Sequence, residues 1–76
     1  MERTQFYYRV RLDSMADIME FTKIAERCRG QVTLVNGHHR LSAKSFLSVV
    51  LAKISWDEIR IEADYDCYFD FEKFIQ

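Results

Sequence analysis

The chain has 76 residues, of which 49% are hydrophobic and 30% are charged, and its formal net charge is −1. This balance predicts a single folded domain over residues 1–76 and argues against a disordered segment. Acidic and basic residues are interspersed, so no field of one sign attracts nucleic acid or an anionic membrane. The most apolar run, residues 41–51, is also shorter than the roughly 20 residues of a membrane span. We therefore expect no nucleic-acid partner and no membrane partner.

The two cysteines, Cys28 and Cys67, are the only candidates for a disulfide or a thiolate metal site. Because Cys28 falls on an apolar helical stripe and nothing indicates secretion, both are predicted to be buried thiols. The opening residues MERT pass directly into a strand pattern without a small-residue cleavage site, which predicts a cytoplasmic protein. Two scattered cysteines do not make a zinc site, and no metal or cofactor is predicted.

The first part of the chain predicts a strand followed by a helix. Residues 6–12 alternate apolar and polar side chains, which indicates a strand with one buried face. Asp13 or Ser14 is the predicted N-cap, and Ser14 with Asp17 three residues later has the form of a capping box. Gly30 is the expected C-terminal cap residue. The apolar stripe of this helix recurs at intervals of three and four residues, at Met15, Ile18, Phe21, Ala25 and Cys28.

The middle of the chain predicts a hairpin and a second helix. Residues 31–35 and 38–41 are predicted strands, joined at Asn36-Gly37, a strong signal for a tight hairpin. The second helix is predicted over residues 43–53 with Ser42 as its N-cap. Its helically spaced apolar residues are Phe46, Leu47, Val50 and Leu51.

The last part predicts a fourth strand over residues 56–63 and a short final helix that begins near Asp66. The resulting order is strand, helix, strand, strand, helix, strand, helix. Such an order predicts an α+β open-faced sandwich, with the helices on one side of a mixed or antiparallel sheet.

Two stretches of the chain resemble a known family. QVTLVNG at residues 31–37 and LSAKSFL at residues 41–47, followed by the strand at residues 56–63, are similar to HPr, the histidine-containing phosphocarrier of the bacterial sugar phosphotransferase system. The resemblance covers nearly the whole chain, and the Ser-Ala-Lys-Ser signature is its most specific part. It implies a four-stranded antiparallel sheet covered on one side by three helices.

The resemblance also implies a phosphoacceptor histidine and a nearby arginine at the N-terminus of the first helix. Here that position falls on Ser14 or its neighbours Asp13 and Met15, and Asp17 has the wrong charge to stand beside a phosphate. His38 and His39 flank the hairpin turn and are expected to be exposed. We therefore expect no phosphate transfer through histidine.

The two serines of LSAKSFL are interpreted differently. Ser42 is interpreted as a helix cap, and Ser45 as an ordinary first-turn serine. In Gram-positive members of the family, however, a serine matching Ser45 is phosphorylated by a dedicated kinase, which implies a possible regulatory role. Ser14 is the only nucleophile placed to act as an alternative phosphoacceptor, which would make the chain a true phosphocarrier component.

The resemblance further implies a docking surface for partner enzymes, at Met15, Met19, Phe46 and Leu47. The sequence shows no paired carboxylates, Cys-His dyad or glycine-rich phosphate loop that would indicate an enzyme. The expected function is a non-catalytic binding or regulatory module, whose partners are phosphotransferase-system enzymes or regulators.

Overall fold

A computed structural model describes residues 5–76; the opening MERT lies outside the described residues. The predicted α+β class, with a four-stranded antiparallel sheet and its helices on one side, is confirmed. The predicted order of elements is confirmed as well. The elements are β1 (Phe6–Val10), α1 (Met15–Arg27), β2 (Val32–Asn36), β3 (His39–Ser42), α2 (Phe46–Ser55), β4 (Ile59–Ala63), α3 (Tyr68–Phe71) and a 3₁₀ turn (Glu72–Phe74).

The order of strands in the sheet is β1-β4-β2-β3, and every neighbouring pair is antiparallel. Ile61 of β4 lies between Tyr8 of β1 and Leu34 of β2. Strands β1 and β2 are therefore parallel with β4 between them, and α1 connects them. By the same logic β3 and β4 are parallel, and α2 connects them in the opposite direction. The two helices consequently run antiparallel to each other.

The core lies between the sheet and the helices. The central strands contribute Val32, Leu34 and Ile61, none of them more than 2% exposed. Phe21 of α1 packs against the end of the chain, with ring centroids 5.0 Å from Phe71 and 5.8 Å from Phe74. Three buried aromatic rings thus hold the short C-terminal helix against α1.

The predicted hairpin between β2 and β3 is confirmed. Asn36 pairs with His39, which leaves Gly37 and His38 as the two loop residues. Gly37 has a φ of 60°, in the region where glycine avoids the steric cost of a Cβ atom. Glycine at the first central position is the preference of a type II′ turn, which matches the right-handed twist of the flanking strands.

The role predicted for Gly30 was wrong. Helix α1 ends at Arg27, its C-cap is Cys28 in an extended conformation, and among the described residues only Gly37 has a positive φ. A Cβ atom on Gly30 would lie 2.5 Å from Asp64 Oδ1 and 2.8 Å from Tyr65 Cδ1. Glycine is therefore needed here because the loop after α1 packs directly against the residues that follow β4.

Several element boundaries differ from the prediction. Helix α2 begins at Phe46 instead of residue 43, because the Ala43 amide donates to the carbonyl of Val32 at 3.0 Å and extends the β2–β3 pairing. Strand β4 begins at Ile59 instead of residue 56. Within residues 5–76, no helix combines the length and the apolar character needed to cross a membrane.

Candidate protein-binding surface

The N-terminus of α1 is closed by local hydrogen bonds. Of the two predicted N-cap candidates, Asp13 and Ser14, Ser14 is the N-cap, and its Oγ accepts from the amide of Asp17 at 3.1 Å. The Asp17 carboxylate accepts in turn from the amide of Asp13 at 3.0 Å. The predicted reciprocal cap is therefore present, although its second bond reaches the residue before Ser14. The carboxylate of Asp17 already occupies the place at the helix dipole that favours an anion.

The charged side chains around this helix start are one arginine and two aspartates. Arg11, the nearest arginine in sequence, donates from Nε to Asp13 Oδ1 at 2.8 Å, and this pairing raises the pKa of Arg11. Two carboxylates, on Asp13 and Asp17, therefore flank the Ser14 hydroxyl. An added phosphoryl group would be repelled by both of them at this position.

The N-cap of α2 is Ser45, so the assignment of the cap to Ser42 was wrong. The Ser45 Oγ accepts from the amide of Ser48 at 3.3 Å, and the Ser45 carbonyl accepts from the amide of Val49. Ser42 is the last residue of β3, and its Oγ accepts from the amide of Lys44 at 3.2 Å in a local turn. Either serine suited a cap by residue type, and the pairing of Ala43 with β2 decides between them.

All four residues of the predicted docking surface are exposed. The exposed fractions are 55% for Met15, 48% for Met19, 40% for Phe46 and 78% for Leu47. The methionines share one side of α1 because they are four residues apart, and Leu47 stands at the start of α2. Clustered exposed apolar side chains are typical of interaction surfaces.

Two further residues of this surface were missed in the sequence. Leu51 and Ile54 of α2 are 52% and 77% exposed, on the same side of the helix as Leu47. The core contacts of α2 come instead from the small residues Val49 and Ala52. Because α2 is apolar on nearly all sides, its periodicity could not tell the buried side from the exposed one.

Contacts at both ends of the helices show how they adjoin. The start of α2 is tied to the end of α1 by the Lys44 Nζ, which donates to the Cys28 carbonyl at 2.9 Å. At the opposite end, Asp13 and Lys53 line one small cleft. The helices therefore lie side by side and antiparallel. We call their exposed apolar residues the α1–α2 surface; they are Met15, Met19, Phe46, Leu47, Leu51 and Ile54.

The two histidines lie at the β2–β3 hairpin, and His39 lines a cleft together with Leu51 of the α1–α2 surface. Both are exposed, and His39 lies beside Trp56 with ring centroids 6.2 Å apart. The part of the chain that the structure describes contains no group of three or more metal-ligating side chains.

Comparison with known proteins adds no relative. No family model, no curated protein and no solved structure matches the chain. The functional interpretation therefore depends on the residues and the geometry given above.

Proposed function

We propose that the chain is a non-catalytic HPr-like domain that binds or regulates proteins of the bacterial phosphoenolpyruvate-dependent sugar phosphotransferase system in the cytoplasm, without transferring phosphate through a histidine. The observation that carries this proposal is the α1–α2 surface, where apolar side chains remain 40% to 78% exposed. The order of the elements and the LSAKSFL stretch support the choice of partner, because they resemble HPr.

The composition of the surface suits protein recognition. Removing exposed apolar surface from water is favourable by about 25 cal/mol for each Å². A partner that covers these side chains gains this free energy. Methionine side chains, as in Met15 and Met19, are flexible and adapt to the shape of a partner. Lys23 and Lys53 are exposed on α1 and α2, the helices that carry the apolar residues. A partner with an apolar centre and an acidic rim fits this arrangement.

The start of α1 argues against phosphate transfer in the proposed role. The Ser14 hydroxyl is an acceptor in the helix cap, and Asp17 places a negative charge one turn away. Serine phosphate is also a poor phosphoryl donor compared with phosphohistidine. A chain that keeps the surface but lacks the acceptor would occupy a partner without passing phosphate to it.

Binding to the enzyme that phosphorylates HPr tests the proposal directly. The purified chain is titrated into this enzyme by calorimetry, and Leu47→Asp is compared with Tyr7→Asp. Leu47 lies on the α1–α2 surface, whereas Tyr7 is 58% exposed on the opposite, open face of the sheet. We expect Leu47→Asp to weaken binding about tenfold or more and Tyr7→Asp to leave it unchanged. Equal loss in both variants, or no binding by the wild type, contradicts the proposal.

Phosphate incorporation tests the non-catalytic part separately. The chain is incubated with this enzyme and phosphoenolpyruvate, with authentic HPr as the positive control, and its mass is measured. We expect HPr to gain phosphate and this chain to gain none. Incorporation that Ser14→Ala abolishes would instead establish the alternative, a phosphocarrier that uses another acceptor.

A second candidate function is regulation by phosphorylation at Ser45. The specific observation in its favour is that Ser45 is the N-cap of α2, beside the unpaired amides of the first turn. A phosphate there gains from the helix dipole, but it would also add charge next to Phe46 and Leu47 and disfavour an apolar partner. Incubation with an HPr-type kinase and ATP should then add about 80 Da, and Ser45→Ala should abolish the gain. An unchanged mass for the wild type excludes this role.

A further inference from the structure

An open cleft of about 870 Å³ lies beside the C-terminal end of α1. One side is formed by the end of α1 and the loop after it, and the other by the segment from Asp64 to Asp70. Gly30 brings the two sides together at the base, because it has no side chain to separate them. The volume is within the range of small-molecule sites, which is roughly 300–1,000 Å³. Met15 and Met19 of the α1–α2 surface lie in the other half of α1.

The cleft carries opposite charges on its two sides. Arg27 and Arg29 come from the end of α1 and its loop, and Asp64 and Asp70 from the opposite segment. Within residues 5–76, none of these four side chains forms an ion pair. Two guanidinium groups and two carboxylates thus share one cleft without neutralising each other. A ligand that bears both charges can pair with both sides at once.

Tyr65 contacts the acidic side of the cleft. Its hydroxyl donates to Asp70 Oδ2 at 3.3 Å. Burial, the contact with Cys28 and the charge of Asp70 raise the pKa of Tyr65, so the hydroxyl stays a donor at neutral pH. The Asp70 carboxylate has a second oxygen that remains available to accept from a ligand.

Apolar groups lie between the charged ones. Phe69 is 81% exposed, the largest exposed fraction among the big apolar side chains of the described residues. Ile24 is partly buried and packs against the core, so it forms a fixed apolar wall. An apolar side chain of a ligand could pack against Ile24 and the ring of Phe69.

We propose that this cleft binds a short peptide with free termini and an apolar side chain. The ammonium group pairs with Asp64 and Asp70, the carboxylate with Arg27 and Arg29, and the apolar side chain packs against Phe69. The charge of such a ligand complements both sides of the cleft, whereas a simple anion or cation would be repelled by one of them. A single amino acid also carries both charges but fills a smaller part of the volume.

Titration of the full chain with the dipeptide Phe-Leu, followed by amide chemical shifts in NMR, tests the proposal. Three matched ligands are compared: the free dipeptide, its N-acetyl derivative and its C-terminal amide. We expect the free dipeptide to shift the amides of Gly30, Tyr65 and Asp70. Each blocked derivative should bind about two- to fivefold more weakly, the worth of one partly exposed ion pair. Shifts confined to the α1–α2 surface, or no shifts at millimolar peptide, overturn the proposal.

Variants of the chain test which side chains pair with the amine and which pair with the carboxylate of the peptide. Acetylation of the peptide's amine should reduce its affinity for Asp70→Asn less than its affinity for the wild type. Amidation of the peptide's carboxylate should likewise reduce its affinity for Arg29→Gln less than its affinity for the wild type. Phe69→Ser should weaken all three ligands. Lys23→Gln on α1 is the matched charge control and should change nothing. Phe69 is exposed, so its replacement does not threaten folding, and equal binding by Phe69→Ser and the wild type would contradict the proposed pose.

Discussion

The Nζ atom of Lys44 donates a hydrogen bond to the main-chain carbonyl of Cys28 at 2.9 Å. This bond joins the residue before the cap of α2 to the C-cap of α1. The carbonyl lies at the negative end of the helix dipole, where a lysine ammonium is favourable. The lysine of the LSAKSFL stretch therefore has a structural role in orienting the two helices that carry the α1–α2 surface.

Replacing Lys44 by methionine should lower the free energy of unfolding by about 1 kcal/mol, because the hydrogen bond is lost while the apolar stem is kept. The matched control is Lys53→Met within α2, where the lysine makes no hydrogen bond or ion pair among the described residues. Its effect should stay within about 0.5 kcal/mol. Urea unfolding followed by circular dichroism measures both. Equal effects of the two substitutions would show that the Cys28 bond contributes nothing in solution.

The N-caps at Ser14 and Ser45 predict how three Ser→Ala substitutions rank in their loss of stability. Ser14→Ala and Ser45→Ala should each cost about 1 kcal/mol, because each removes the acceptor for an amide in the first turn. Ser42→Ala should cost less, since its hydroxyl bonds only within a surface turn. The same denaturation experiment decides the order. A larger loss for Ser42→Ala than for Ser45→Ala would return the cap to Ser42.

The two glycines should respond to substitution for different reasons. Gly30→Ala should cost about 1–3 kcal/mol, because the new methyl group would collide with Asp64 and Tyr65. Removing part of the obstacle, in Gly30→Ala combined with Asp64→Ala, should recover some of the loss. Gly37→Ala should cost about 1–2 kcal/mol through its positive φ alone, since nothing lies within 4 Å. If Asp64→Ala brings no recovery at Gly30, the Asp64 carboxylate is not part of the obstacle.

Because Cys67 is buried, we expect the free energy of unfolding to depend on pH in the alkaline range. Burial raises the pKa of its thiol from 9.0 to about 11. Between these values the folded state holds a proton that the unfolded state has lost, so the contribution of this thiol to stability is complete below pH 9 and declines as the pH rises through 11. The difference in unfolding free energy between the wild type and Cys67→Ala should therefore narrow above pH 9. A constant difference from pH 7 to pH 11 contradicts this assignment.

The fold could be predicted from the sequence because its signals are local and consistent. The alternation in β1, the cap at Ser14 and the hairpin signal at Asn36-Gly37 each indicate one element, and the order of the elements indicates the class. The start of α2 could not be predicted, because the pairing of Ala43 with Val32 is a contact between distant residues. A cap is chosen by tertiary pairing when two residues of equal propensity compete for it.

The candidate sites were predicted to different degrees. Met15, Met19, Phe46 and Leu47 were placed on one surface through the resemblance to HPr, and all are exposed. Leu51 and Ile54 were missed because the exposed side of an apolar helix depends on what the helix packs against. The cleft at the end of α1 could not be predicted from the sequence either, because its charged residues come from segments that are more than 30 residues apart.

The position of β4 has a consequence for how the chain acquires its structure during synthesis. This strand, Ile59–Ala63, is the neighbour of both β1 and β2, yet it is the last strand to be made. Until it leaves the ribosome, β1 has no partner in the sheet, and only the β2–β3 hairpin can form from sequence neighbours. We therefore expect nascent chains that end before residue 59 to remain sensitive to protease, and folding to follow the release of β4 as one late step.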